Sequence, residues 1–238
     1  MIVIPARLAS SRFANKVLAD IGGIPMVVRT AKRVEHLDDV VVACDDESII
    51  TTCKKHNVKA MLTSTTHKSG TDRINECVNI LGLDKNELII NVQADEPFIE
   101  PEVVQKVIDR VKEIKNQAFS MVSCYKDISS EIADDPNHVK VVCDENDNAI
   151  YFSRAKIPYH RDHYHNSSYK GHLGIYGFTK QSLNYFCSLK PSILETTEKL
   201  EQLRVISNAK VISMVKVDSK SFGIDTKEDL ENALKIFA

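Results

Sequence analysis

Short β-rich runs alternate with helical periodicity along most of this chain, which predicts an α/β fold around a mostly parallel sheet. Three observations carry that prediction. Residues 1–4, 40–44, 58–62 and 88–92 are near-continuous apolar runs too short for helices, the pattern of strands covered on both faces. Helical segments separate them, as crossover connections between parallel strands require. From about residue 139 the texture becomes hairpin-like, so a β-rich lobe at about 140–195 is expected within a single domain spanning 1–238.

Each element has its own signal. After the strand at 1–4, Pro25 at a first helical turn opens a helix over 26–35. The strand at 40–44 runs into Asp45-Asp46-Glu47, acids suited to the positive end of a helix. A short strand at 58–62 precedes Gly70-Thr71-Asp72-Arg73, which leads into a helix to about residue 81. The strand at 88–92 enters Gln93-Ala94-Asp95-Glu96-Pro97, and a helix over 101–115 and a strand at 119–125 follow. Residues 139–143 and 149–153 flank a five-residue polar loop and read as a hairpin. A strand at 172–178, a helix at 198–206 and a strand at 211–217 come next. Residues 222–224 read as a strand end before Asp225, and Thr226 with Asp229 resembles a capping box for a last helix.

Composition narrows the partners. The net charge of −2 over 238 residues excludes nucleic acid or an anionic membrane as a partner implied by charge. Six cysteines without CxxC spacing, most inside apolar stretches, fit reduced buried thiols and a cytoplasmic protein. Pro5 and Arg7 cut the first apolar run too short for a signal peptide.

Charge is unevenly placed. Residues 1–33 hold six cations against Asp20 alone. Arg29, Lys32 and Arg33 have the spacing of a solvated helix face. Arg7, Arg12 and Lys16 do not; they lie in PARLASSRFANK, a loop after the first strand with no glycine. Parallel sheets bind ligands beyond the carboxyl ends of their strands, which directs attention to the loops after Ile4, Cys44 and Val92. Asp45, Asp95 and Asp225 stand at such ends. Asp45 reads as a helix cap, whereas Pro97 turns the chain so that Asp95 projects. Two carboxylates without a His or Cys ligand set point to a hard cation such as Mg²⁺. Three cations facing two acids suit a metal–polyphosphate site.

Other chemistries have less behind them. No GxGxxG follows the first strand, against a dinucleotide site. His160, His163 and His165 form a His-rich loop, better read as solvated or interfacial than as a zinc site. Cys44 ends an apolar strand without an evident base. Gly171, Gly174 and Gly177 in KGHLGIYGF admit both a packing and a ligand-approach reading.

PARLASSRFANKVL, HKSGTDR, NVQADEP, YFSRAKIP, HLGIYGF, LEQLR and GIDTKEDL occur in the order and spacing of one family. Over essentially its whole length the chain resembles the 3-deoxy-manno-octulosonate cytidylyltransferases, or CMP-Kdo synthetases. The resemblance implies a three-layer α/β/α nucleotidyltransferase (Rossmann-like) fold, with the β-rich lobe forming a homodimer. It implies transfer of CMP from CTP to the C2 hydroxyl of 3-deoxy-D-manno-octulosonate (Kdo), with release of pyrophosphate, for lipopolysaccharide synthesis.

Arg7, Arg12 and Lys16 would then be catalytic, stabilising the leaving pyrophosphate. Ser69, Gly70 and Arg73 would lie close to the nucleotide, with backbone near Pro5 and Ala6 reading cytosine. Asp95 and Asp225 match the positions that hold Mg²⁺, and Gln93, Arg154, His172, Glu201 and Gln202 those that grip the sugar acid. An Arg fork suits the carboxylate of that substrate independently. The family usually reads QGDEP where this chain has Ala94, and commonly LPGK where it has Asn15 before Lys16; Asn tolerates positive φ. The alternatives are a related acceptor (8-amino-Kdo or a sialic acid), a nucleotide-sugar-dependent glycosyltransferase and a non-catalytic nucleotide-binding protein.

Overall fold

The computed structural model describes residues 1–10, 13–161 and 168–237. In chain order these form β1 (Ile2–Ala6), β2 (Asp20–Ile21), β3 (Ile24–Pro25), α1 (Met26–Val34), β4 (Val40–Cys44), α2 (Glu47–Lys55), β5 (Ala60–Leu62), α3 (Gly70–Ile80), β6 (Leu88–Asn91) and α4 (Pro101–Ile114). There follow β7 (Met121–Ile128), α5 (Ser130–Asp134), β8 (Lys140–Cys143), β9 (Ala149–Ser153), β10 (Tyr169–Thr179), α6 (Lys180–Ser188), α7 (Ile193–Glu198), α8 (Leu203–Ser207), β11 (Ser213–Lys216) and α9 (Lys227–Phe237).

The main sheet runs β11-β7-β10-β6-β1-β4-β5, a mostly parallel mixed sheet flanked by helices. β6, β1, β4 and β5 pair in parallel, with Ile2 opposite both Val40 and Ile90. β10 is antiparallel to β6 and β7, and β11 is parallel to β7. The hairpin β8–β9 attaches to β10 where Gly171 faces Lys140.

Alternation along the strands builds two cores. Ile2, Ile4 and Val42 face α1, α2 and α4, while Val3, Val41 and Ala43 face α3, α6 and α8. The middle layer is therefore apolar on both sides. On α4, Val103, Val104, Val107, Ile108, Val111 and Ile114 are all buried, a stripe at helical spacing. Full burial of each such side chain contributes roughly 1.5–3 kcal/mol.

Several element readings need correction. Pro25 caps α1 from outside and belongs to the short β3 ladder rather than to the first helical turn. The helix expected at 198–206 is broken, because Lys199 adopts a left-handed φ of 55° and α8 starts afresh at Leu203. The helix before the break, α7, has a capping box between Ser192 and Glu195. Residues 222–224 join no ladder; a single backbone bond, Ile224 N–H to the Asp95 carbonyl at 2.9 Å, ties them to the sheet end. Two of the three grouped glycines serve packing: a Cβ on Gly171 would sit 2.7 Å from Ile128, and one on Gly177 3.1 Å from Val107. Gly174 lies within a bulge of β10.

Candidate active site

A cavity of 310 Å³ opens beyond the ends of β1 and β6 and the start of α3. The first loop contributes Pro5, Ala6, Arg7 and Lys16 to its wall, and the turn into α3 contributes Ser69, Gly70 and Arg73. Gln93 and Asp95 come from the loop after β6, and Asp225 from the segment before α9. The seven residues expected near the nucleotide thus line one space. Arg12 lies outside the described residues.

Lys16 is the hub. Asn15 takes φ 53° and starts a single 3₁₀ turn, Lys16–Leu18, that buries Val17 in the core. The asparagine therefore adopts the left-handed conformation expected of it before Lys16. Lys16 Nζ donates to Asp95 Oδ2 at 2.7 Å and to Asp225 Oδ1 at 2.8 Å, so two acids 130 positions apart converge on one ammonium. Burial alone would lower the Lys16 pKa; the two carboxylates outweigh it and raise the value. Lys16 accordingly meets the acids, whereas Arg7 stays exposed at the cavity wall. Ala94 is buried outside the left-handed region, and its carbonyl accepts from Thr30 Oγ1 at 3.0 Å, so this turn has no need of glycine.

Asp45 departs from its expected role. The N-cap of α2 is Asp46, which accepts the Ser48 N–H at 2.8 Å. Asp45 instead accepts the Leu8 N–H at 2.9 Å and Arg73 Nη2 at 3.0 Å. Arg73 Nη1 also donates to Thr63 Oγ1 at 2.7 Å and to the Ser64 carbonyl at 3.2 Å. Arg73 is thus a buried strut between the cavity wall and the opening loop. The spacing of two consecutive acids after a strand signals a cap; which of the pair turns inward depends on Arg73, 28 positions away. His67 also lines the cavity and pairs with Glu76, whose carboxyl is held low first by the Ser64 N–H.

The residues expected to hold a second substrate are more dispersed. Gln93 Nε2 donates to Asn91 Oδ1 at 3.2 Å and to the Gly174 carbonyl at 3.4 Å. His172 pairs with Ser123 Oγ at 2.8 Å, and burial pushes its pKa down to about 3, which keeps it neutral. Glu201 accepts the Thr71 hydroxyl beside the start of α3, and burial raises its pKa. Gln202 and Asn91 are buried, each with an amide nitrogen lacking a partner. Arg154 lines neither this cavity nor its neighbour; Nε donates to the Glu198 carbonyl at 2.8 Å and Nη1 to the Pro136 carbonyl at 3.0 Å.

A second cavity of 380 Å³ adjoins the first and shares Asp225 with it; His172, Lys126 and Glu96 are in its wall. Burial, then the charge of Asp95, pushes Glu96 up to about 7.

No group of three metal-ligating side chains occurs among the described residues. His160 packs edge-to-face on Tyr169, and His163 and His165 lie outside the described residues. Burial raises the Cys44 thiol to about 11, far from a working thiolate.

Comparison with known proteins agrees with this geometry. The family model described as "Cytidylyltransferase" matches residues 1–212. A 3-deoxy-manno-octulosonate cytidylyltransferase of Helicobacter pylori (strain HPAG1) is 54% identical, covering 100% of this chain and 98% of that protein. One from a Nitratiruptor species is 52% identical over 97% of each. The solved structure of a CMP:2-keto-3-deoxy-manno-octonic acid synthetase complexed with CTP superposes with a TM-score of 0.91 at 35% identity, covering 99% of this chain and 96% of that one. The chain belongs to the cytidylyltransferase family, and within it to the 3-deoxy-manno-octulosonate cytidylyltransferases.

Proposed function

We propose that the protein transfers CMP from CTP to the C2 hydroxyl of Kdo, giving CMP-Kdo and pyrophosphate for lipopolysaccharide synthesis. The observation that carries this reading is the meeting of Asp95 and Asp225 on Lys16 at the base of a cavity lined by the opening loop and the first turn of α3. In the reaction, the C2 oxygen forms a bond to the α-phosphorus while the bond from that phosphorus to the bridging oxygen breaks. Pyrophosphate departs and the hydroxyl proton is released.

The chain's own groups supply binding and charge. Arg7, Lys16 and Lys68 line the cavity as cations for the phosphates, beside the paired Arg73, and Arg12 is the remaining cation expected of the opening loop. A cation beside a phosphate oxygen contributes at most about 4 kcal/mol at an effective dielectric of 20, and less where water enters. Such groups act on the charge that develops on the leaving pyrophosphate. Gly70 lets the start of α3 approach Pro5 closely: an added Cβ would lie 3.2 Å from its ring. The amino end of that helix faces the same cavity and favours an anion. Asp225 lines both cavities, so an acceptor held in the second would present its hydroxyl near the same carboxylate. His172 lines the second cavity and Gln93 the first, while Glu201 and Gln202 line neither; Arg154 would pair with the sugar carboxylate once released from its carbonyl partners.

Mg²⁺ fits the donor set. Two carboxylate oxygens converge around a resident positive charge, and His67, in the same cavity wall, is paired with Glu76. Asp95 and Asp225 would hold the ion, whose other donors would be phosphate oxygens and water. When bound, it would polarise phosphate oxygens and lower the pKa of a coordinated hydroxyl.

Two further parts of the reading concern assembly and place. The hairpin edge strand β9 exposes Ile150, and Tyr159 and Ile193 are 84% and 83% exposed, apolar surface suited to a homodimer through this lobe. Free cysteines, four of them buried, suit a reducing cytoplasm; no helix among the described residues is long and apolar enough to cross a membrane.

The test is pyrophosphate release by the purified protein with Mg²⁺, each nucleoside triphosphate and each candidate acid (Kdo, 8-amino-Kdo, a sialic acid). Turnover confined to CTP and Kdo is expected. Turnover with another acid only would move the substrate assignment. Hydrolysis of a nucleotide sugar without pyrophosphate would favour a glycosyltransferase, and binding without turnover a non-catalytic nucleotide-binding protein.

A further inference from the structure

Asp225 must come close to Asp95, yet the segment that carries it, residues 218–226, belongs to no strand or helix. Its path is fixed instead by side chains from the opposite wall. Lys126, on β7, donates from Nζ to the Ser219 carbonyl at 3.1 Å and to the Ser221 carbonyl at 3.0 Å. Glu100 accepts Ser219 Oγ at 2.7 Å and the Lys220 N–H at 2.9 Å. Glu96 accepts Ser221 Oγ at 2.8 Å, and Ser221 has no exposed surface. The strap ends where Ile224 N–H reaches the Asp95 carbonyl. The stretch that carries Asp95 thus also anchors the segment that carries Asp225.

Within this strap Lys126 has a distinct part. Two backbone carbonyls two residues apart turn toward one point, and their dipoles repel unless a cation stands there. Glu96 and Glu100 lie close enough to Lys126 to contribute to its electrostatics. Their contacts to Ser219, Lys220 and Ser221 pull the segment toward the Asp95 turn, and the ammonium compensates the acids where carbonyls and carboxylates crowd together. Lys126 lines the second cavity, and its ammonium donates to the Ser219 and Ser221 carbonyls.

We propose that Lys126 is a positioning residue for the divalent-metal pair, holding Asp225 within reach of Asp95 by bracing the carbonyls of Ser219 and Ser221. This rests on the metal–CTP reading above. A partner that orients a metal ligand typically affects metal affinity by about 10–100-fold, so the effect is read on metal binding itself.

The experiment titrates Mn²⁺ into the full-length protein with CTP kept below the protein concentration, following protein-bound Mn²⁺ by water-proton relaxation against a protein-free CTP control. Metal-free CTP affinity is measured alongside by calorimetry in chelator. Lys126→Met is expected to weaken Mn²⁺ binding by about tenfold or more, with metal-free CTP affinity essentially unchanged. Lys126→Arg, which can still donate to both carbonyls, is expected to restore most of the affinity. Ser221→Ala, which removes only the Glu96 contact, is expected to shift it less in the same direction, and it serves as the deciding variant should Lys126→Met fail to fold. Wild-type Mn²⁺ affinity in Lys126→Met overturns the proposal. So does an equal loss of metal-free CTP binding, failure of the Arg variant to restore, or an unmoved Ser221→Ala where that variant decides. A wild type that binds no Mn²⁺ with CTP overturns the metal–CTP reading and this inference together, which separates the two failures.

Discussion

Arg73 and Arg154 are both expected beside a bound anion, and the fold treats them differently. Arg73 is built into the wall of the first cavity, the proposed nucleotide site, with Asp45, Thr63 and the Ser64 carbonyl fixing its fork. Arg154 sits on the β8–β9 side with its fork on the carbonyls of Pro136 and Glu198, outside both cavities. Around Arg73 the charges are paired, and Asp45 links them to the Leu8 N–H in the opening loop. Elsewhere in the interior, buried amide nitrogens of Asn91 and Gln202 lack partners. Buried polar atoms without partners cost free energy until something satisfies them. The proposed nucleotide half is therefore pre-assembled, whereas the residues proposed for the acceptor are dispersed, with Arg154 outside both cavities.

That contrast can be broken at its strongest point first. Asp225→Asn should cut turnover by on the order of 10²–10³-fold, the scale of losing one electrostatic group at a reacting phosphate, with the thermal transition unchanged. Near-normal pyrophosphate release would remove Asp225 from the metal pair. Asp45→Ala should be smaller and differently distributed. It leaves Arg73 buried without its carboxylate, a change that costs about 3 kcal/mol or more in a well-buried pair. A lower urea midpoint and a Michaelis constant for CTP raised more than that for Kdo are expected; equal effects on both substrates would mean that the strut is not specific to the nucleotide half.

Arg154→Lys tests the acceptor half. Loss of the fork should raise the Michaelis constant for the sugar acid by about tenfold while CTP changes little. An unchanged sugar constant would leave Arg154 as a structural link between the hairpin and the end of α7. His172 sharpens the contrast through pH. Its imidazole pKa is depressed by burial to about 3 from an ordinary 6.5. Its contribution to stability is therefore fully present above pH 6.5 and is lost as pH falls toward 3. Stability of the wild type should fall more steeply over that window than that of His172→Gln, and the ring's NMR signals should not titrate above pH 5. Titration near 6.5 would show a solvated imidazole. Ala94→Gly should have the smallest effect, within about twofold on any constant, since the alanine needs no positive φ.

Much of this was legible in the sequence because the nucleotide half follows local rules. Apolar strands place their loops at one sheet edge, so Pro5 to Lys16 and Gln93 to Asp95 could be assigned to one site before their contacts were known. Asn15 was a fair candidate for a left-handed turn, and its φ is 53°. Thr226 and Asp229 do form the reciprocal cap expected of them. What escaped reading depends on long-range partners. Asp45 turns inward because Arg73 is buried beside it, and no local pattern carries that pairing. Residues 222–224 look like a strand because Phe222 and Ile224 are apolar; they instead pack with Ile21, Met26 and Phe98, just after Lys220 and Ser221, which Lys126, Glu96 and Glu100 anchor. The break at Lys199 is likewise a tertiary choice, although Ser192 and Glu195 mark the earlier helix start in sequence.

The most direct measurement is a crystal structure of the protein with CTP and Mg²⁺. The account predicts an ion between the carboxylates of Asp95 and Asp225 that also touches phosphate oxygens, with the Lys16 ammonium drawn toward the triphosphate. An ion held by the phosphates alone, with Asp225 turned away and Lys16 still between the two acids, would contradict it.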